Sequence, residues 1–263
     1  MDLMTPLSAG LIAFASKDMI AKLLGPTFDY IGEGLKEFVE KRHNNVISIF
    51  AKANKKLGSK LNQPGEVSPR VLKHVMDEGS FCEDNLTQEY FAGLLASSRL
   101  VNKEYGDDKA LPYLSTIEQM SANNILFHYV IYLCLIKELS ENPINIFEES
   151  NVSKMNVYFP IPSVLTVFGE TALTTNMSET CALAYKEKLI NGYRFGETFE
   201  IKSRPDLDGL ILKVNPTLYG LTLFLKANAA PENLLSTLSS EESKTWMNGL
   251  ECHVDTSCLP IIA

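Results

Sequence analysis

The chain has 263 residues, of which 45% are apolar and 21% charged, with 15 glycines and 12 prolines. These values exclude a disordered, collagen-like or low-complexity protein. The net charge is −8, from 24 basic and 32 acidic residues, which argues against a protein that coats nucleic acid through its overall field.

The N-terminal part of the chain has the apolar spacing of helices. A first helix is expected over residues 6–24, closed by Gly25-Pro26. A second apolar pattern extends over residues 28–57 and fits either one long helix or two helices with a break at 43–45. The chain begins with Met-Asp and has no basic start of a secretory signal, so we expect no targeting segment.

Capping patterns place the next helices. Ser68-Pro69 predicts a helix to about residue 78, with serine as the N-cap and proline at the first helical position. Ser80 with Glu83 fits a capping box for a helix over 86–95, and Ser115 with Glu118 fits a second box. The second box leads into an apolar helix over 123–139. Because this apolar stretch is shorter than the roughly 20 residues of a membrane span, we expect a buried core helix.

The second half of the chain mixes helix and strand signals. Residues 155–162 fit an extended segment kept at an edge or in a loop by two prolines. A helix is expected from Asn176 to about residue 190, followed by a turn at Asn191-Gly192 and strands at 193–201 and 210–214. The last predicted helix begins near Pro216, and an acidic, serine-rich stretch follows residue 231.

These elements predict a mainly α protein. An N-terminal helical bundle over residues 1–145 is followed by a smaller α+β module with an acidic tail over 146–263. The order helix, strand and Thr217-x-x-Gly220 before the final helix is similar to the end of a winged-helix module. That similarity makes a winged-helix-like fold one interpretation, but the fold would not establish DNA binding.

Three stretches resemble the bacterial abortive infection alpha (Abi-alpha) family, a domain family whose molecular activity is not defined. They are Gly25 to Asn45, Val67 to Leu72, and Leu86 to Ser97. Phe91 stands where the family commonly has tryptophan, and Gly93 where it has asparagine. The resemblance implies bacterial defence against phage, in which the infected cell stops growing or dies, and it carries over no catalytic residues.

The residues that could carry catalysis or bind metal form no recognisable motif. The five cysteines are scattered without a Cys-x-x-Cys pair, and the four histidines are dispersed, so we predict reduced thiols, no metal and no cofactor. The carboxylate pairs Glu83-Asp84 and Asp107-Asp108 fit solvated helix starts and loops. We therefore expect no enzymatic activity.

Basic residues gather on and after the second apolar pattern. They form a candidate interaction face for nucleic-acid phosphates or anionic lipid, although interleaved glutamates also fit an ordinary solvated helix surface. The face consists of Lys36, Lys41, Arg42, Lys52, Lys55, Lys56 and Lys60.

Our leading hypothesis is a cytoplasmic, non-enzymatic defence protein that binds a partner protein or a phage product. Two alternatives stay open. One is a nucleic-acid-binding protein that uses the basic face and the winged-helix-like module, and the other is an effector that acts on the membrane. A homo-oligomer is compatible with each of them.

Overall fold

The computed structural model describes residues 44–99, 108–142, 155–169, 176–197, 209–231 and 240–250, together with Lys22, Ile146, Glu148, Asn151, Leu234 and His253. Within these ranges the protein is mainly helical with a smaller α+β part, as predicted, and its strands form one three-stranded antiparallel sheet. The predicted first helix, and the residues of the second pattern before residue 44, lie outside them apart from Lys22.

The chain divides into two compact units. The first comprises residues 1–119 and 225–230, and the second comprises 120–224 and 231–263. The apolar helix Ala122–Glu141 packs against the strands and helices that follow it.

The first unit is helical. Helix α1 covers residues 44–57, and the turn Gly58–Asn62 is a 3-10 helix. Helices α2 (Pro69–Gly79), α3 (Asn85–Ser97) and α4 (Leu111–Glu118) pack against one another. The first-unit core includes the fully buried side chains of Ile49, Phe50, Leu72, Tyr90, Phe91 and Leu94.

The cap of α3 differs from the predicted capping box. The carboxylate of Asp84 accepts hydrogen bonds from the backbone N–H and the hydroxyl of Thr87, both at 2.7 Å. The Ser80 hydroxyl instead donates to the Asp77 carbonyl oxygen at 2.8 Å. Ser80 is completely buried at the end of the preceding helix, so its hydroxyl is used there rather than at the start of α3.

The predicted start of α2 at Ser68-Pro69 is confirmed, whereas the predicted second capping box is not formed. Ser68 occupies the N-cap position of α2, but its hydroxyl donates to Asp108 Oδ1 at 2.7 Å and makes no cap hydrogen bond. Ser115 lies inside α4. The capping box of the apolar helix is formed by Ser121 and Asn124, where an amide fills the role expected of a glutamate.

The second unit combines helices with the sheet. Helix α5 (Ala122–Glu141) is followed by strand β1 (Val157–Pro160), helices α6 (Ile161–Phe168) and α7 (Asn176–Lys186), and the hairpin of β2 (Ile190–Glu197) and β3 (Leu210–Pro216). Helix α9 (Glu241–Asn248) and most of helix α8 (Leu218–Ala227), whose residues 225–227 belong to the first unit, complete the described elements. The order in the sheet is β1-β3-β2, with both neighbouring pairs antiparallel.

Several local expectations in this unit change. Asn191-Gly192 is part of β2 rather than a turn, and the ladder shifts register between Ile190 and Gly192. Pro160 ends β1, and Pro162 lies in the first turn of α6, where a missing N–H costs no helix hydrogen bond. The acidic, serine-rich stretch contains α9, which no periodic pattern had indicated. Among the described residues, no helix combines the length and hydropathy needed to cross a membrane.

Candidate functional site

Large exposed apolar side chains are concentrated on α7 and the β2–β3 hairpin. Tyr185 on α7 is 57% exposed, Tyr193 on β2 is 36% exposed, and Leu210 on β3 is 46% exposed. Elsewhere in the described ranges, Phe81 is the other large apolar residue of this kind. Single exposed apolar side chains are ordinary, but several on one short stretch indicate an interaction surface.

The pairing register shows that two of these side chains, Tyr193 and Leu210, share one face of the hairpin with the half-buried Phe195. Tyr193 and Phe195 lie two residues apart on β2, so they project from the same face. Phe195 pairs with Leu212 of β3, and Leu210 lies two residues from Leu212, which puts Leu210 on that face as well. The rings of Tyr193 and Phe195 meet edge to face, with centroids 6.2 Å apart. We call Tyr193, Phe195 and Leu210 the hairpin strip.

The hairpin strip is the outer end of a buried apolar layer. Across the sheet, Val157 and Val214 lie beside Tyr193 in one row. Val157 and Val214 are 1% and 0% exposed. The core of the second unit therefore continues along this face to the exposed Tyr193 and the half-buried Phe195 of β2.

The opposite face of the sheet carries a row with two cations. Tyr158, Lys213 and Arg194 are paired in register across β1, β3 and β2. The Lys213 ammonium lies over the Tyr158 ring, 5.9 Å from its centroid. Arg194 is exposed at the outer end of the row. We call Tyr158, Lys213 and Arg194 the cationic row.

Strand β2 is at the edge of the sheet. In the described part of the chain, β2 pairs with β3 alone, and its outer side has no neighbouring strand. The side chains of Asn191, Tyr193 and Arg194 along it are exposed. An edge strand presents backbone N–H and C=O groups that can pair with another chain.

Two residues of the predicted basic face are held in a network within the first unit. Lys56 Nζ lies 2.8 Å from Glu89 Oε2, and Lys52 Nζ lies 3.7 Å from Glu89 Oε1. Lys52 also donates to Asn85 at 2.6 Å and to Gln88 at 3.2 Å. Their side chains are only 16% and 14% exposed, so their charges are largely engaged by α3.

Two other basic residues of this face lie in the described part of the first unit. Lys55 and Lys60 are exposed on α1 and the 3-10 helix. Lys36, Lys41 and Arg42 lie outside the described residues. Asn45 donates to the Ser80 carbonyl oxygen at 2.8 Å and accepts from Gln88 at 3.3 Å.

A buried polar network in the second unit holds the side chains of His128, Tyr132 and Thr217. His128 Nε2 lies 3.0 Å from the Gly220 carbonyl oxygen, and burial lowers the pKa of His128 to about 3. The Tyr132 hydroxyl donates to the Leu189 carbonyl oxygen and accepts from the Thr217 N–H at 2.9 Å. Burial also raises the pKa of Tyr132. Both side chains are neutral at pH 7 and serve as hydrogen-bonding groups of the core.

The described cysteines are poor nucleophiles. Burial raises the pKa of Cys82 to about 11 and that of Cys181 to about 12. Because the thiolate is the reactive form, these thiols have little nucleophilic character at neutral pH. Cys134 is buried in α5. Within the described ranges, no three His, Cys, Asp or Glu side chains are grouped as metal ligands.

A cleft of about 520 Å³ lies between α5 and α9 in the second unit. Its apolar lining includes Leu133 and Met247, while Lys137, Glu141 and Lys244 contribute charges of both signs. Its volume is within the range of ligand sites. The mixed charges select no particular class of ligand.

The hairpin strip was not identified from the sequence. Tyr193-x-Phe195 has the two-residue period of a strand face, and this was the available signal. The sequence does not show that β2 lies at an edge of the sheet, nor that Tyr193 is exposed there beside a half-buried Phe195.

No family model, no curated protein and no solved structure matches this chain. The resemblance to the Abi-alpha family therefore stays a prediction.

Proposed function

We propose that this chain is a non-enzymatic bacterial defence protein that acts by binding another protein, and that the hairpin strip is part of its binding surface. The observation that carries the binding role is the exposure of Tyr193 and Leu210 beside the half-buried Phe195 on one face of an edge hairpin. Aromatic residues are enriched at the centres of protein interfaces and dominate their binding energies.

The chemical groups described above support a role without bond-making. His128 and Tyr132 are neutral and engaged inside the core, and the thiols of Cys82 and Cys181 have raised pKa values. Perturbed groups at catalytic sites are expected to face a cleft that substrate can reach. His128 and Cys181 are instead buried to 1% and 0% exposure.

The anti-phage part of the proposal comes from the Abi-alpha resemblance. Two of its three stretches lie in the described first unit, where Val67, Leu72 and Phe91 are core residues. We propose a cytoplasmic location and a partner that is either a host protein or a phage product.

Plaque assays test the proposal. Bacteria that express the chain are challenged with a panel of phages, and we expect fewer plaques together with early growth arrest of the infected culture. The double variant Tyr193→Ser/Leu210→Ser should lose this protection. The variant Phe81→Ser is the matched control, because it also removes an exposed large apolar side chain (63% exposed) but lies in the first unit.

Circular dichroism and a thermal melt establish that both variants are folded. A photocrosslinking amino acid at position 193 should then capture a discrete partner in infected cells, while the same group at position 81 should not. The proposal is wrong if the chain protects against no phage of the panel, or if the folded hairpin variant protects as well as the wild type.

Nucleic-acid binding is a second candidate function, favoured by the order of elements in the second unit. The order α5, β1, α6, α7, β2, β3 with sheet order β1-β3-β2 is the order of a winged-helix module, in which the helix preceding the hairpin commonly contacts DNA. On α7, the exposed side chains of Asn176, Ser178 and Lys186 could donate hydrogen bonds to phosphates. A salt titration of binding to labelled DNA and RNA tests this candidate, because phosphate contacts give a steep salt dependence. The absence of binding at low salt would exclude it.

A further inference from the structure

We infer that the outer edge of β2 binds an extended segment of the partner, in which one acidic residue is flanked on both sides by apolar residues. This inference rests on the proposed function, since it names the chemistry of the partner at the hairpin strip. Addition of a strand to an exposed sheet edge is an established mode of peptide recognition.

The backbone of β2 supplies the first part of the argument. Among the described elements, the outer side of β2 has no partner strand. An added strand would lie about 4.8 Å from β2 and extend the three-stranded sheet to four strands. The main chain would then provide affinity, while side chains on alternating faces would provide selectivity.

The two faces of β2 specify the side chains of the added strand. On one face, the rows through Val214 and Leu212 end at Tyr193 and Phe195. Residues of an added strand that extend these rows would contact the two aromatic rings. Apolar side chains at both positions would continue the buried layer of the sheet.

The intervening residue of the added strand faces the cationic row. Arg194 lies directly opposite Lys213, and like charges at directly opposite positions destabilise a sheet. Lys213 is directed toward the Tyr158 ring, while Arg194 occupies the open end. A guanidinium has five N–H donors, so Arg194 can bind an incoming carboxylate in addition to its other contacts.

The same residue disfavours a second copy of this chain as the occupant. Pairing of β2 with itself in an antiparallel register centred on residue 194 would bring the two copies of Arg194 together. Edge strands commonly carry a basic residue for this reason, because it discourages self-association. A negatively charged segment meets no such repulsion.

Synthetic peptides provide the test with the full-length protein. The probe is a nine-residue peptide with the core Val-Glu-Val flanked by threonines, and its partner peptide has the core Val-Lys-Val. Both are titrated at low salt into isotope-labelled protein and followed by two-dimensional amide NMR. We expect saturable shifts at the amides of Tyr193, Arg194 and Phe195, and about three- to tenfold tighter binding of the acidic peptide.

A charge exchange provides the matched control. In the variant Arg194→Glu the preference should reverse, so that the Val-Lys-Val peptide binds more tightly. The variant Lys188→Glu removes an exposed positive charge just before β2 and should keep the wild-type preference. Two versions of the acidic peptide carry methyl groups on alternate backbone nitrogens, each version on one of the two alternating sets. Because only one set of N–H groups faces β2, one of the two versions should lose binding.

The inference is overturned if no β2 amide shifts at millimolar peptide, if the preference is the same in Arg194→Glu, or if both methylated peptides bind. Dimerisation in sedimentation experiments that Arg194→Glu strengthens would assign the edge to a second copy instead. If the hairpin variant loses phage protection but the wild type binds neither peptide, strand addition is refuted and the proposed function stands. Peptide binding by a chain that gives no protection would refute the proposed function alone.

Discussion

Acidification should destabilise the protein through His128. This side chain is 1% exposed in the second unit, and its Nε2 lies 3.0 Å from the Gly220 carbonyl oxygen. Burial lowers the pKa of His128 to about 3 from an ordinary value of 6.5, although the hydrogen bond to Gly220 partly opposes this change. Between these two values the unfolded chain binds a proton that the folded chain does not.

The sign and the magnitude of the effect follow from proton linkage. Because the folded pKa is the lower one, the contribution of His128 to the free energy of unfolding is constant above about pH 6.5 and decreases as the pH falls. Each pH unit between the two pKa values costs at most about 1.4 kcal/mol. From pH 6 to pH 4 we therefore expect a loss of about 2 to 3 kcal/mol.

Urea unfolding at a series of pH values measures this loss. The single tryptophan, Trp246, lies in the same unit as His128 and provides a fluorescence signal. Other groups also titrate in this range, so the variant His128→Gln serves as the reference, because its amide can still donate to Gly220 but does not titrate. The stability advantage of the wild type over this variant should decrease by about 2 to 3 kcal/mol from pH 6 to pH 4. Parallel stability curves for the two proteins would show that His128 is hydrated in the folded state.

Three substitutions test packing and hydrogen bonding inside the individual units by thermal and urea unfolding. Gly93→Ala should lower the free energy of unfolding by about 2 kcal/mol or more, because a Cβ at this position would overlap the backbone carbonyl group of Ala227. At an unobstructed helical position, replacing glycine with alanine raises the free energy of unfolding by about 1 kcal/mol. A raised midpoint would therefore contradict this packing. Tyr132→Phe should lower the free energy of unfolding by about 1 to 3 kcal/mol, because it leaves the buried Thr217 N–H without its acceptor. An unchanged midpoint would contradict that role of Tyr132. Asn54→Leu should stabilise by about 1 kcal/mol, since neither polar side-chain atom of the buried Asn54 has a hydrogen-bond partner in the described structure; a loss of stability would show that its amide is satisfied.

The sequence predicted the elements whose signals are local and strong. The apolar run within Ala122–Glu141 identified a buried helix. The strand expected at 210–214 corresponds to β3. These elements were predictable because apolar patterns act within a few residues along the chain.

The predicted capping boxes failed because the pattern Ser-x-x-Glu does not show where a helix begins. Ser80 matches the pattern, but it is buried at the end of α2 and its hydroxyl bonds backward to Asp77. The true cap, Asp84, has the same spacing to its hydrogen-bond partner Thr87. Several neighbouring polar residues can cap a helix, and tertiary packing selects one of them.

The candidate site could not be predicted from the sequence because it depends on contacts between residues far apart along the chain. Glu89 engages Lys52 and Lys56 from a helix more than thirty residues away along the chain, so the basic face could not be judged from α1 alone. The exposure of Tyr193 likewise depends on the strand order β1-β3-β2. An apolar alternation predicts a strand equally well at the centre of a sheet and at its edge.

Different side chains of the hairpin serve stability and binding, so a loss of binding can be distinguished from a loss of folding. Leu212 and Val214 are fully buried and anchor β3, so their truncation removes core packing and should cost several kcal/mol. Tyr193 and Leu210 keep 36% and 46% of their surface exposed, so polar substitutions there forfeit much less burial. If the hairpin strip had only a structural role, protection against phage would follow the stability of each variant. A binding surface instead predicts that the edge variants lose protection while they remain folded, and that a modest loss of stability at another site leaves protection intact.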